Sequence, residues 1–339
     1  MPRRLAVTVG FGGNPEQNKE VINRIKVAEE VGVEAIFTAE TWGRDQFSLL
    51  TQAAMQTSKI KLGTGIAPVF GRSPGVLAMT AATLDELSGG RVVLGLGTSG
   101  DRVIEHWHGE KFSKPIQRTK EYVDIINMMV SGEKVFYEGE IFKLQRGFRL
   151  LFEPPRKHIP IYIASISPKS MQSLATGADG WMPIYWPKSK FKEGKAAIAS
   201  AAQAAGRPAD AVECVASLTV AINPDEQKAK VQAAGGISWY VTNMGDFYHQ
   251  MLTRNGFGEE VAAMRKVGET HKPPPFGTNP ELMAAMGDRM LEETAIWGDL
   301  ETCAAGIEER RQLGVDLPSI PMPQGPLDQV ERVLGTLVS

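Results

Sequence analysis

Short apolar runs alternate with longer amphipathic segments along the chain. Apolar runs at 5–10, 33–39, 60–67, 91–97, 160–164, 180–184, 212–222 and 316–321 predict eight strands. Apolar residues at helical spacing predict helices over 15–31, 45–57, 74–87, 118–130, 168–176 and 187–205, with a closing helix over 327–337. In the first of these, Val21, Ile25, Ala28 and Val31 share one face. Strands that alternate with helices pair in parallel, because each crossover helix returns the chain to the same end of the sheet. Eight such units predict an α/β fold, a closed (β/α)8 TIM barrel, in a single domain of residues 1–339. An open doubly wound sheet is the alternative and requires no closure.

Two stretches exceed what the repeat needs. Residues 131–159, after strand four, contain a predicted hairpin (134–136 with 140–144, turning at Glu138-Gly139). Residues 224–298, after strand seven, read as mostly helical, broken at Lys272-Pro273-Pro274-Pro275-Phe276-Gly277, where proline cannot sit inside a helix. Trp239, Tyr240, Phe247, Tyr248 and Phe257 concentrate there. They suit either the core of an extra helical layer or a lid that contacts substrate over the barrel mouth. The junctions Gly32-Val33-Glu34, Gly177-Ala178-Asp179 and Gly314-Val315-Asp316 repeat one pattern. Each sets a glycine at a helix end, where a left-handed residue costs least, and an acid two positions on. This repetition is a structural device.

Composition narrows the class. With 37 basic and 39 acidic side chains the net charge is −2, which gives no electrostatic footprint for nucleic acid or an anionic membrane. No apolar stretch approaches the ~20 residues of a membrane span. The run that opens Met1-Pro2-Arg3-Arg4-Leu5 is shorter than the ~7–15 apolar residues of a signal peptide and is expected to be strand. Two cysteines, Cys214 and Cys303, build neither a disulfide framework nor a four-ligand zinc site, so a cytoplasmic location is expected.

Barrel enzymes collect their sites at the carboxyl ends of the strands. Those ends carry Glu40, Thr41 and Trp42 after strand two, and Gly65, Ile66, Ala67 and Pro68 after strand three. Gly97, Thr98, Ser99 and Gly100 follow strand four, Ala164, Ser165, Ile166 and Ser167 strand five, and Tyr185 and Trp186 strand six. The inventory is one carboxylate, small residues, hydroxyls and aromatic planes, with Trp42, Tyr185 and Trp186 as candidate substrate contacts. Such a mouth suits a large flat cofactor with a phosphate tail, which would carry the difficult chemistry itself. Ser165 and Ser167 either bind phosphate at a helix start or cap that helix. Gly95-Leu96-Gly97-Thr98-Ser99-Gly100 matches the dinucleotide fingerprint, but the acid-bearing second strand of such a site would fall inside helix 118–130. Its glycines are expected instead to admit a ligand close to the backbone. His106-Trp107-His108 lacks a third ligand at useful spacing and His158, His249 and His271 are scattered, so no metal is expected.

Several stretches, in this order, resemble the bacterial luciferase-like superfamily, in its branch of coenzyme F420-dependent oxidoreductases that includes methylenetetrahydromethanopterin reductase-like proteins. They are Ala28-Glu29-Glu30-Val31-Gly32-Val33-Glu34-Ala35-Ile36-Phe37, Thr57-Ser58-Lys59-Ile60-Lys61-Leu62-Gly63-Thr64-Gly65-Ile66, Gly71-Arg72-Ser73-Pro74, Ala82-Thr83-Leu84-Asp85-Glu86-Leu87-Ser88-Gly89-Gly90-Arg91, Leu94-Gly95-Leu96-Gly97 and Pro160-Ile161-Tyr162-Ile163-Ala164. The resemblance implies the barrel, a homodimer, and hydride transfer between reduced F420 and a small organic substrate. It implies the deazaflavin ring in the mouth and its phosphate tail toward the loops after strands four and five. It also implies a non-proline cis peptide behind the ring, matching Gly65–Ile66. A flavin mononucleotide (FMN)-dependent monooxygenase is the alternative, with a non-catalytic ligand-binding barrel and a metal-dependent barrel hydrolase as further ones.

Two positions depart from the family pattern: its frequent Asp-His pair is Glu40-Thr41 here, and the stretch that carries a glutamate in several members is Thr98-Ser99-Gly100-Asp101. Glu40 is therefore the expected catalytic proton donor, its pKa raised by an apolar mouth. Glu105, His106, His108, Tyr185 and Trp186 are lesser candidates.

Overall fold

The computed structural model describes residues 3–10 and 13–339. Eight parallel segments form the barrel: Ala6–Val9, Ala35–Thr38, Lys61–Thr64, Val92–Gly97, Ile161–Ile163, Gly180–Trp181, Glu213–Cys214 and Ser319–Pro321, strands one to eight below. Neighbours pair in that order, and strand eight returns to strand one. Ser217 closes the ring through bridges to Ile184 and Ser319. Strands covered by helices on one side and a filled lumen on the other must be apolar throughout, and all six residues of Val92–Gly97 are buried.

The lumen is filled by Phe37, Tyr162 and Met182 with Val93, Val215 and Leu317. The two rings fit only beside glycine: a Cβ on Gly63 would stand 2.3 Å from the Phe37 ring, and one on Gly180 2.3 Å from that of Tyr162. The amino end is closed by polar pins. Arg4 bonds Glu34 at 2.7 Å and pairs with Glu213, which also accepts the Tyr162 hydroxyl at 2.7 Å. The junction acids do the same work, since Asp179 accepts the Ile161 N–H and Asp316 that of Cys214, each at 2.8 Å. Gly32 and Gly314 adopt the expected left-handed conformation (φ 92° and 109°). Gly177 does not, because its helix Pro168–Leu174 has already ended with Ala175 in a right-handed cap.

Four sequence expectations are corrected. The run 212–222 is not one strand: Glu213–Cys214 stays in the barrel, while Thr219–Ile222 leaves it and pairs in parallel with Ala295–Gly298. Ala295–Gly298 therefore lies inside a stretch read as helical; it supplies the backbone partners that Thr219–Ile222 loses on leaving the ring. A helix, Asp101–His106, follows Gly100 directly, and the next one starts at Pro115. The hairpin pairs Val135–Glu138 with Lys143–Phe148, later along the chain than expected, because Gly139 bonds Phe142 across the turn.

The stretch after strand seven forms the helices Glu226–Asn243, Phe247–Leu252, Gly258–Thr270 and Pro280–Thr294, around a second apolar core that includes Tyr185, Ile237, Leu252 and Met286. Among the described residues no helix is long and apolar enough to cross a membrane.

One carboxylate holds the hairpin to the barrel. Glu121, fully buried on Pro115–Val130, accepts from Gln117 at 2.8 Å and from the backbone N–H groups of Glu140, Ile141 and Phe142 at 2.8–3.1 Å. Burial opposes its charge, but these donors outweigh it and the pKa is lowered. A group with a depressed folded pKa stabilises the protein above its unfolded pKa and loses that contribution as pH falls through the folded value. We expect E121Q to cost about 1–3 kcal/mol at pH 7, with the deficit shrinking as pH drops below the unfolded value of about 4.3. Denaturant melts of both proteins at pH 7 and pH 3 check this, and an undiminished deficit at pH 3 would assign the effect to shape alone.

Candidate active site

Strand three stops at Thr64 and resumes at Ala67–Pro68, and the Gly65–Ile66 peptide between them is cis, as the resemblance implies. The Gly65 N–H donates to the Thr38 carbonyl at 2.7 Å, which fixes the bulge against strand two. Gly65 and Ile66 are half-buried at the mouth, while Ala67 is fully buried beneath. Ile66 packs on the lumen cluster and lies over Gly97, where a Cβ would meet Ile66 Cγ1 at 2.8 Å and the Ala164 Cβ at 3.3 Å. Four expected cofactor contacts (Gly65, Ile66, Gly97 and Ala164) thus form one small apolar floor. Beside it, Thr98, Ser99 and Gly100 are half-buried, and Ser99 holds a left-handed φ of 59°, rare for a residue with a side chain.

The serines after strand five are engaged with one another. Ser167 caps Pro168–Leu174 in a box with Ser170, and the Ser170 hydroxyl lies 2.6 Å from that of Ser165 and 2.8 Å from that of Ser167. The Ser165 carbonyl accepts the Trp181 indole N–H at 2.8 Å. Helix capping is therefore what these hydroxyls do in this structure. Ile166 packs into the second core, and its carbonyl accepts from Arg254 at 3.1 Å.

Glu40 does not sit in the expected apolar surround. Arg72 grips its carboxylate with both guanidinium Nη atoms, Nη2 donating to Oε1 at 2.8 Å and Nη1 to Oε2, and Gln46 Nε2 donates to Oε2 at 3.1 Å. The Glu40 side chain is 12% exposed. Arg72 also pairs with Asp45, the N-cap of Gln46–Ala54, stacks 5.1 Å above the Phe47 ring, and takes the Tyr122 hydroxyl on its own carbonyl at 2.7 Å. The Glu40 hydrogen bond outweighs burial and raises the Arg72 pKa. Burial opposes ionisation of Asp45, but hydrogen bonds from Ser48 and the Arg72 charge lower its pKa. Two carboxylates thus share one guanidinium. Sequence reading missed Arg72, Asp45 and Gln46 as site residues, although Arg72 lies within the quoted Gly71-Arg72-Ser73-Pro74; nothing local shows that its side chain reaches Glu40.

The aromatic candidates divide. Trp42 is 47% exposed on the rim. Tyr185 is buried with a left-handed φ of 53°, its ring 5.2 Å from Tyr240 and 5.8 Å from Tyr248, and burial pushes its phenol pKa well above the ordinary value. Trp186 is half-buried, edge-on to Trp181 at 5.3 Å, and its indole N–H has no partner among the described residues. Phe247 packs on Phe112 at 5.8 Å and Phe112 on Phe70 at 5.0 Å, joining the helical layer to the mouth. Glu105 and His106 are exposed on Asp101–His106, and His108 rests against Gly71. No group of three or more His, Cys, Asp or Glu among the described residues could hold a metal ion.

The luciferase-like monooxygenase family profile matches residues 5–317. The 5,10-methylenetetrahydromethanopterin reductase of Archaeoglobus fulgidus is 31% identical over 89% of this chain and 89% of its own. The F420-dependent glucose-6-phosphate dehydrogenase of Microbacterium testaceum is 28% identical over 66% of this chain and 71% of its own. The solved structure of the coenzyme F420-dependent tetrahydromethanopterin reductase from Methanopyrus kandleri superposes with a TM-score of 0.80 at 25% identity, over 100% of this chain and 99% of that one.

Contact between Ile66 and Gly97 makes the floor testable without any ligand. G97A is expected to lose about 1–3 kcal/mol from overpacking, and I66A introduced into it should recover part of that loss. Denaturant melts of the four proteins in the cycle measure the coupling, and strictly additive losses would separate the two residues.

Proposed function

This chain belongs to the luciferase-like monooxygenase family, and from that premise we propose that it is a coenzyme F420-dependent oxidoreductase that passes a hydride between the deazaflavin and a small organic substrate. The observation that carries the reading is the floor around the cis bulge, where Gly65, Ile66 and Ala164, packed over the buried Gly97, present a small apolar surface at the mouth. Such a surface fits one face of a flat tricyclic ring. The similar reductase and dehydrogenase, both named for F420 chemistry, support the choice of cofactor.

Bound deazaflavin supplies two electrons as a hydride and leaves oxygen unactivated. Gly65, Ile66 and Ala164 would support its ring, with Ala67 buried behind them. Gly97, Thr98, Ser99 and Gly100, with Ser165, Ile166 and Ser167, would flank its tail. Trp42, exposed on the rim, would bound the substrate side, with Tyr185 and Trp186 packed into the helical layer. Holding the reactants at the correct separation provides most of the acceleration in such a site. Glu40, held by the Arg72 guanidinium, would accept a proton in the substrate-oxidising direction and return it in the reducing direction. The same proposal includes a cytoplasmic homodimer acting on a small molecule.

Titration of the purified protein with F420 and with FMN, each followed by fluorescence quenching, tests the cofactor. We expect F420 to bind at least tenfold more tightly; equal affinity, or preference for FMN, would favour the monooxygenase alternative. With 5,10-methylenetetrahydromethanopterin as the probe substrate, Glu40→Gln should lower kcat by about a hundredfold while the F420 Kd moves less than threefold. Unchanged turnover would remove Glu40 from the chemistry.

A further inference from the structure

Gln46 is fully buried, opens the helix Gln46–Ala54, and yet carries an Oε1 with no hydrogen-bond partner among the described residues. A buried acceptor left unpaired destabilises a fold, so something must hold the amide in this orientation. Its other end does so. Nε2 donates to Glu40 Oε2 at 3.1 Å and reaches the Ile66 carbonyl at 3.5 Å. Turning the amide over would set Oε1 against the Glu40 carboxylate and against that carbonyl, three acceptors with no donor among them.

Gln46 therefore spans the two halves of the site, the carboxylate on one side and the bulge on the other. It also distributes donors unequally over Glu40. Oε2 receives Arg72 Nη1 and Gln46 Nε2, whereas Oε1 receives Arg72 Nη2 alone. Each carboxylate oxygen accepts about two hydrogen bonds, so Oε2 is saturated, whereas Oε1 has capacity for one more donor and lies beside the Asp45 carboxylate on the shared Nη2. The charged groups facing Glu40 are Arg72 and Asp45, the latter bound to the same Nη2.

We propose that Gln46 is a positioning residue that saturates Glu40 Oε2 and ties it to the Ile66 bulge, leaving Oε1 as the oxygen that exchanges a proton with substrate. The proposal rests on the function proposed above only for that last step; the tie itself exists without cofactor.

The test begins on the unloaded protein. The Gln46 side-chain amide signal, identified by its loss in Gln46→Met, is expected to shift in Glu40→Gln; an unmoved signal overturns the proposal whatever cofactor the protein uses. Gln46→Met also removes the unpaired oxygen, so its melting temperature should be no lower than that of the parent chain. In the F420-loaded enzyme, with 5,10-methylenetetrahydromethanopterin as probe, Gln46→Met should lower kcat ten- to hundredfold, with KM and the F420 Kd within threefold. Gln46→Glu donates only when protonated, so its kcat relative to Gln46→Met should rise at least fivefold between pH 8 and pH 6. A kcat that is unchanged in Gln46→Met, or that falls together with the melting temperature, overturns the positioning role, as does a pH-independent ratio of the two variants. If the amide signal shifts as expected while F420 fails to bind, the proposed cofactor falls and the tie between Gln46 and Glu40 stands.

Discussion

An eight-stranded barrel encloses a lumen that its own side chains must fill, and here that filling rests on two aromatic rings lying against glycine. Phe37 and Tyr162 occupy the space that a Cβ on Gly63 and Gly180 would need. The result is a sealed lumen with an apolar ceiling. Ile66 lies at that ceiling, above Gly97 and beside Ala164, so the mouth inherits its flat, small-residue surface from the packing below. The charged groups of the candidate site, Glu40, Arg72 and Asp45, lie beside that surface. A flat ligand seated there would meet the barrel through van der Waals contact on one face, and meet charge only at its edge.

The charge at that edge is organised by Arg72. Its guanidinium joins the loop after strand two, through Glu40, to the cap of Gln46–Ala54, through Asp45, while its own backbone is anchored by Tyr122. Partly buried ion pairs contribute little net stability, because desolvation offsets the attraction. Their effect is geometric. Glu40, approached by Arg72 from one side and Gln46 from another, has few orientations left, and that restriction is what a proton-transfer group in a preorganised site requires.

The barrel was legible in the sequence because parallel strands covered on both sides must be continuous apolar runs, and each of the eight runs announced itself in that way. Glycines at helix ends and acids at strand starts were also readable, since both answer local backbone needs. The second half of 212–222 was not readable, because apolar residues look alike whether a strand stays in the ring or leaves it to pair with Ala295–Gly298. The candidate site was legible by position, through the rule that strand ends carry function, and illegible by contact. Arg72 stands 32 residues from Glu40, and no periodicity relates the two. The expectation of an apolar surround for Glu40 failed for that reason.

Local conflict is not spread evenly over the molecule. At the amino end of the barrel nearly every polar group is matched: Glu29 accepts three backbone N–H groups, from Ser58, Lys59 and Ile60, and the Arg91 guanidinium donates to Ser88, Ala54, Thr57 and Ile60. At the carboxyl end, Ser99 and Tyr185 hold left-handed backbone that their side chains disfavour, and Gln46 Oε1, His108 Nε2 and Trp186 Nε1 are buried without partners among the described residues. Arg311 Nε is an exception at the opposite end. Satisfied pins at one end stabilise the scaffold enough to tolerate unsatisfied groups at the other. In a fold whose sites gather at the strand ends, that asymmetry separates the part of the sequence that makes the barrel from the part that makes it act.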